Sequence, residues 1–314
     1  PRAKLSSSPF TGSKRNDAFF SDQWLVLVWA QAMTITISDK DIQSYRRGTY
    51  RINPKLRLSS VEDALEHVDE RGFVMLWPIK GIEMPSLWTA VAGDKPVANE
   101  HDDPGHITWG WKDQMLDQRH WYYGKLLRGK ATFVSLRVLP FFYALAPRLA
   151  DLDDYREAYH AGHLTHEAKA IADVLLQRGP QNSVGLRQLT HMTARSSKSR
   201  FNRALTDLQR GLWILPMGIA EAGSWRYAFI YELFDRWFPD VSEQARGISL
   251  RQARAELVKC YLQSLGVSGS REIAKLFRWE ADSTLQALED LESAGDTLPL
   301  SDDRWAIKTI VQGK

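Results

Sequence analysis

At 314 residues, with 44% hydrophobic and 25% charged side chains, the chain is long enough for two or three domains with real cores. A formal charge of +3 does not by itself establish a nucleic-acid partner, which requires Lys and Arg to cluster locally. The single cysteine, Cys260, excludes an intrachain disulfide framework and a cysteine-rich zinc site, and fits a reducing compartment.

Along the chain, the apolar run Trp24–Trp29 follows a long polar, basic lead and is shorter than the ~7–15 residues of a secretory core. Residues 1–32 therefore read as a disordered extension rather than a signal peptide. No stretch approaches the ~18 consecutive apolar residues of a membrane span, so the expected setting is cytoplasmic, without a membrane partner. Ser38 and Asp39 predict the start of a short helix through Arg46, and Ser59 or Ser60 with Asp63 predicts another through Glu70. The apolar run Phe73–Ile79 follows, then Gly81, Pro85, Gly93 and Pro96 break the chain. His106–Arg128 is dense in aromatics, and Ala131–Leu145 leads through Pro140 into an apolar helix. Residues 33–160 are thus expected to form an aromatic-rich domain, a divergent winged helix in which the helices at Asp39 and Val61 lead into the Phe73 run.

Residues 161–241 carry the clearest unit. Thr165 caps a helix with Ala168, Ile171, Ala172, Leu175 and Leu176 spaced at three and four, and Gly179-Pro180 ends it. A second helix over Ser183–Thr190 and a third over Ala194–Arg210 give helix-turn-helix order, and the strand-like runs Leu212–Ile219 and Trp225–Leu233 supply a wing. Residues 246–312 repeat the plan with helices Leu250–Leu265, Ser270–Phe277 and Glu280–Ala294, then a hairpin of Thr297–Leu300 and Arg304–Ile310. The predicted fold class is mainly α with small β-hairpins, in tandem winged-helix modules.

The third central helix opens with Arg195, Ser196, Ser197, Lys198, Ser199, Arg200, Phe201, Asn202 and Arg203, with no acid before Asp207. A helix N-terminus offers free amides and a positive dipole, and these side chains can bond phosphates or base edges. Arg195, Ser197, Lys198, Arg200, Asn202 and Arg203, with Arg226 in the wing, are the candidate contacts to double-stranded DNA. A solvated basic helix face is the plainer reading, but helix order and charge agree on DNA. In the last unit the equivalent helix, Glu280 to Asp290, is acidic and would repel phosphate, which suits a protein partner.

A second candidate surface alternates aromatics with cations: Trp109, Trp111, Lys112, Tyr123, Lys125, Arg128 and Lys130. Such a surface would stack an unpaired base and hold its phosphates, whereas clustered Trp and Tyr are as readily core.

Three stretches carry a family resemblance: Arg128-Gly129-Lys130-Ala131-Thr132-Phe133-Val134, the central helix-turn-helix, and Ala255-Glu256-Leu257 through Tyr261-Leu262 into Ile273-Ala274. On these the chain resembles the AlkZ/YcaQ-type winged-helix DNA glycosylases, more closely their AlkZ-related branch, from about Ser38 to Ile310. The resemblance implies a DNA-repair protein that acts on duplex DNA near the nucleoid and removes alkylated bases with no metal or other cofactor. The family's catalytic Gln-x-Gln or Gln-x-Asp follows a Gly-aliphatic-Val lead; here Gly72-Phe73-Val74 is followed by Met75-Leu76-Trp77, and Thr132 stands where His is common. Too little sequence follows the last unit for the family's C-terminal barrel. Glu83 and Asp113, and less so Asp102-Asp103, are the carboxylates left to activate a water. His101 and His106 match no metal-ligand spacing. The leading expectation is a DNA-binding relative of repair glycosylases that recognises damage. The alternatives are an active alkylpurine or cross-link glycosylase with a rearranged site, and a non-catalytic protein-interaction scaffold or transcription regulator.

Overall fold

Helices begin where short polar side chains can serve amides that lack a helical partner, as the computed structural model shows over residues 37–100, 103–149 and 151–312. The extension 1–32, with His101 and Asp102, lies outside the described residues. Ser38 and Asp41 form a reciprocal capping box at α1 (Asp39–Thr49), and Ser60 with Asp63 does the same at α2 (Val61–Arg71). Each such cap stabilises a helix by about 1 kcal/mol.

One plan is repeated three times. In the first copy α2 leads to β1 (Phe73–Met75), α3 (Leu87–Ala92), α4 (Ile107–Met115) and the hairpin β2 (Trp121–Gly124) and β3 (Thr132–Ser135). The second copy runs α7 (His166–Arg178), β4 (Gln181–Asn182), α8 (Ser183–Leu189), α9 (Lys198–Arg210), β5 (Ile214–Ala220) and β6 (Ala228–Leu233). The third runs α12 (Leu250–Leu265), β7 (Val267–Gly269), α13 (Ser270–Phe277), α14 (Ala281–Ser293), β8 (Thr297–Pro299) and β9 (Arg304–Ile307). All three sheets are antiparallel with the last strand in the middle: β1-β3-β2, β4-β6-β5 and β7-β9-β8. This is the helix–strand–helix–helix–hairpin order of a winged helix. Connecting helices are α5 (Leu139–Leu145) and α6 (Tyr155–His160), then α10 (Phe234–Trp237) and α11 (Pro239–Ala245); α15 (Lys308–Gln312) closes the described chain.

The first copy is not assembled as the sequence suggested. It begins at α2, and its third helix and hairpin are the aromatic segment 107–135. Its first strand was hard to see because Phe73, Val74 and Met75 are all buried, which erases the two-residue alternation of a strand. Helix α1 instead serves the third copy. Tyr45 donates to the Gln263 carbonyl (2.9 Å), Thr49 to that of Ser264 (2.6 Å) and Arg46 to that of Leu265 (3.0 Å). These are last-turn carbonyls of α12, which have no helical donor of their own and sit at the negative end of its dipole.

Apolar and polar joints hold the copies together. Phe73 meets Phe142 of α5 and Phe277 of α13 edge-on, at 5.4 and 5.9 Å, in a core that joins the first and third copies. The second copy has its own core around Ile171, Leu175, Phe201, Leu208 and Trp213, and it is docked by a polar joint. Arg148, whose side chain is 2% exposed, donates to Asp154 (2.8 Å) and to Asp235. Trp213 also donates to Asp154 (3.1 Å), and Tyr143 of α5 donates to Asp235 (2.8 Å). These further bonds offset the desolvation that a buried ion pair costs. Among the described residues no helix is long and apolar enough to cross a membrane.

Candidate nucleic-acid interface

Arg195–Ser197 forms a 3-10 turn, and α9 begins at Lys198. Phe201, Ala204, Leu205 and Leu208 turn inward, which leaves Lys198, Arg200, Asn202 and Arg203 exposed, with Arg195 before them. Arg200, itself exposed, lies 3.4 Å from the half-buried Glu167 of α7. Among the described residues no carboxylate pairs with Arg195, Lys198 or Arg203. Ser197 departs from the expected set: it is buried, and its hydroxyl lies 2.8 Å from the Met192 carbonyl and 2.7 Å from that of Ala194. It closes the turn before α9 instead of facing solvent.

The wing is a hairpin paired from Ile214 opposite Leu233 out to Ala220 opposite Ala228. Arg226 stands exposed at its tip and pairs with Glu221. Beside it Trp225 is 89% exposed. The sequence reading placed Trp225 inside a strand, although Gly223-Ser224 before it marks the turn.

The aromatic block is internal. Lys112 of α4 has no exposed surface; its Nζ is 2.5 Å from Asp113, donates to the Tyr227 hydroxyl (2.7 Å) and sits 3.8 Å from the Trp109 ring and 4.7 Å from Phe229. Burial pushes the ammonium down to about 8, against the opposing pull of Asp113. Tyr227 and Phe229 belong to the second copy, so this cluster ties its wing to the third helix of the first copy. Trp111 and Tyr123 are buried, and Trp109 is stacked at 5.6 Å on Trp77. Burial removes Trp111, Lys112 and Tyr123 from any base-stacking surface, while the half-buried Trp109 is engaged by Trp77 and Lys112. Their alternation with cations is core packing around one desolvated charge.

Lys125, Arg128 and Lys130 lie beside α9. Their loop packs on the rear half of α9: the Lys125 amide donates to Gln209 (3.0 Å), and Gly129, at φ 67°, brings backbone so close that a Cβ would come within 3.2 Å of Thr206. Lys125 and Lys130 are exposed, and burial followed by the Lys130 charge lowers the Lys125 ammonium from its ordinary value. The loop therefore covers one flank of α9 while leaving its basic front open.

The carboxylate candidates are occupied. Asp113 is held by Lys112 and accepts from Tyr227 (2.9 Å). Asp103 caps the turn at Gly105 (2.7 Å) and pairs with Lys95 (3.3 Å). Glu83 is exposed and pairs with Arg46 (3.1 Å) in the wall of a cleft of about 640 Å³ that Tyr50 and Thr89 also line. In the segment after Gly72, Met75 is buried opposite Thr132, whose hydroxyl lies 3.7 Å from its sulfur, and the Trp77 indole N–H is buried without a partner among the described residues. A thioether and an indole cannot orient a water as a pair of amides or carboxylates does. Among the described residues no three His, Cys, Asp or Glu side chains cluster to hold a metal ion.

A family model described as AlkZ related matches residues 58–278. Among solved structures, Streptomyces sahachiroi DNA glycosylase AlkZ is similar in fold, with a TM-score of 0.54 at 10% identity over 89% of this chain and 72% of that one. No curated protein matches the sequence.

Proposed function

Because the chain belongs to the AlkZ-related family, we propose that it binds double-stranded DNA in a repair setting through α9 and the wing of its second copy, and recognises damage without the chemistry of a Gln-x-Gln or Gln-x-Asp segment. The observation that carries this reading is the front of α9, where Arg195, Lys198 and Arg203 face solvent without a carboxylate partner among the described residues. A helix N-terminus of that charge, followed by a wing with Arg226 and Trp225 exposed, suits phosphates and a partly unstacked duplex. The protein would act in the cytoplasm, at the nucleoid. The test is a titration of labelled duplex across a salt series. Lys198→Ala with Arg203→Ala should lower the slope of log K against log salt by about two units, near one per phosphate contact. An unchanged slope removes α9 from the interface. No binding even at low salt would favour a protein-interaction role, with the acidic α14 as its surface.

Glu83 at the 640 Å³ cleft supports a second reading, a glycosylase with a rearranged site. It requires duplexes carrying N-alkylpurines or cross-links to yield abasic sites, and Glu83→Gln to stop this. No release across such a panel sinks that reading and leaves the binding one standing.

A further inference from the structure

Behind α9, a cleft of about 290 Å³ lies between the Leu126–Arg128 loop, α5, the end of α9 and the end of α13. Its floor is apolar, with Phe142 buried and Phe277 stacked on Trp279 at 4.4 Å. Three guanidinium groups line it: Arg128, Arg210 and Arg278. Asp207 lies 3.4 Å from Arg210, and Arg128 also borders a neighbouring cleft that Glu83 and Glu272 line. Arg128 gives one N–H to the Lys275 carbonyl (2.9 Å). Arg278 is exposed, and burial followed by the Arg210 and Arg128 charges lowers its guanidinium from the ordinary value.

The backbone adds a second observation. Arg128 (φ 54°) and Arg278 (φ 61°) both hold left-handed conformations that disfavour any side chain and would ordinarily suit glycine. Two arginines kept in such positions on one cleft bring like charges together, an arrangement that an anion relieves. Arginine's planar fork matches the oxygens of a phosphate, and an apolar floor suits the uncharged remainder of the same ligand.

We propose that this cleft is a binding site for a nucleoside phosphate, its phosphate held by Arg128, Arg210 and Arg278 and its base and sugar against Phe142, Phe277 and the edge of Trp279. The ligand is either a free nucleotide or a nucleotide in an unpaired DNA strand that passes α9. The site goes beyond the duplex reading and stands without it, because a free nucleotide needs no part of the α9 front.

The full chain is titrated calorimetrically with dAMP. Wild type should bind it, Arg210→Gln and Arg278→Gly should each weaken binding at least about tenfold, and Lys198→Ala/Arg203→Ala should leave it unchanged. Glycine fits φ 61°, so Arg278→Gly should melt no lower than wild type. Absence of dAMP binding at millimolar concentration, or an unchanged affinity in Arg278→Gly, overturns the proposal. A blunt duplex and the same duplex with a four-nucleotide overhang separate the sources. An overhang gain that Arg278→Gly abolishes identifies a strand-borne nucleotide, whereas dAMP binding without that gain identifies a free one. Duplex binding that ignores the α9 variants while dAMP still binds counts against the proposed function alone.

Discussion

The second and third copies have the same order of helices and strands, yet they present opposite surfaces at the same place. On α9 the exposed positions include Lys198, Arg200, Asn202 and Arg203; on α14 they include Asp282, Leu285, Gln286, Glu289 and Glu292, after Glu280. The hairpins differ as well: β5 and β6 have seven and six residues and end at an exposed Trp225, while β8 and β9 have three and four. A common backbone therefore places a third helix without deciding what it meets; outward side chains and wing length decide that. The joints differ as well: the second copy buries Leu212 and Leu215 in the shared core and adds a buried ion network, while the third joins that core through rings and aliphatic side chains.

That difference in joints predicts the largest effect. Arg148→Ala leaves the Asp154 and Asp235 carboxylates buried without their cation, and should destabilise the protein by roughly 3–5 kcal/mol in denaturant unfolding. The pair of Arg251 with Asp290 on the third copy has an exposed arginine, so Arg251→Ala should cost under about 1 kcal/mol. Similar losses for the two variants would show that the second copy does not depend on its polar joint.

Helix positions were largely legible because their signals are local. Ser60 with Asp63, Thr165 and the apolar spacing of Leu250–Leu265 and Ser270–Phe277 lie within one element each, and the helices lie there. The candidate interface was legible in part, through the run of cations at the front of α9. Lys112 was not, because its partners Tyr227 and Phe229 are more than a hundred residues away, and only packing shows that a cation between aromatics is a caged charge. The convergence of Arg128, Arg210 and Arg278 was hidden for the same reason.

The caged lysine gives the next effect, confined to the second copy's wing. Folded Lys112 releases its proton near 8, while the unfolded side chain keeps it to about 10.4. Between those values the unfolded chain binds more protons at this group, so the contribution of Lys112 to stability should rise from pH 8 to about 10 and be lost as pH falls back through 8. Cys260, whose thiol burial pushes up to about 11, acts in the opposite direction from about pH 9, and Tyr122, Tyr123 and the half-buried Tyr227, which burial also raises, do so above about 10. Lys125, also lowered, and Cys260, raised, act in both proteins, so melting curves at pH 7, 8, 9 and 10 should show wild type gaining stability relative to Lys112→Met as pH rises, in a variant where Tyr227 still donates to Asp113. An equal rise in Lys112→Met assigns it to another group.

The smallest expected effect tests whether charge alone separates the two copies. Asp282→Lys with Glu289→Lys gives α14 two outward cations at exposed positions without touching Thr284, Ala287, Leu288 or Leu291, its buried face. Asp282 lies in the first turn, where a carboxylate favours the helix dipole, so the double variant should cost no more than about 1 kcal/mol of stability and keep its fold. If a wing and an open helix front must act together, as the proposed function requires of the second copy, the short β8–β9 hairpin cannot complete the contact. The salt slope of duplex binding should then change by less than about half a unit. A gain near two units, one per added lysine, would mean that α14 already lies against the duplex and only its acids keep the third copy from gripping it.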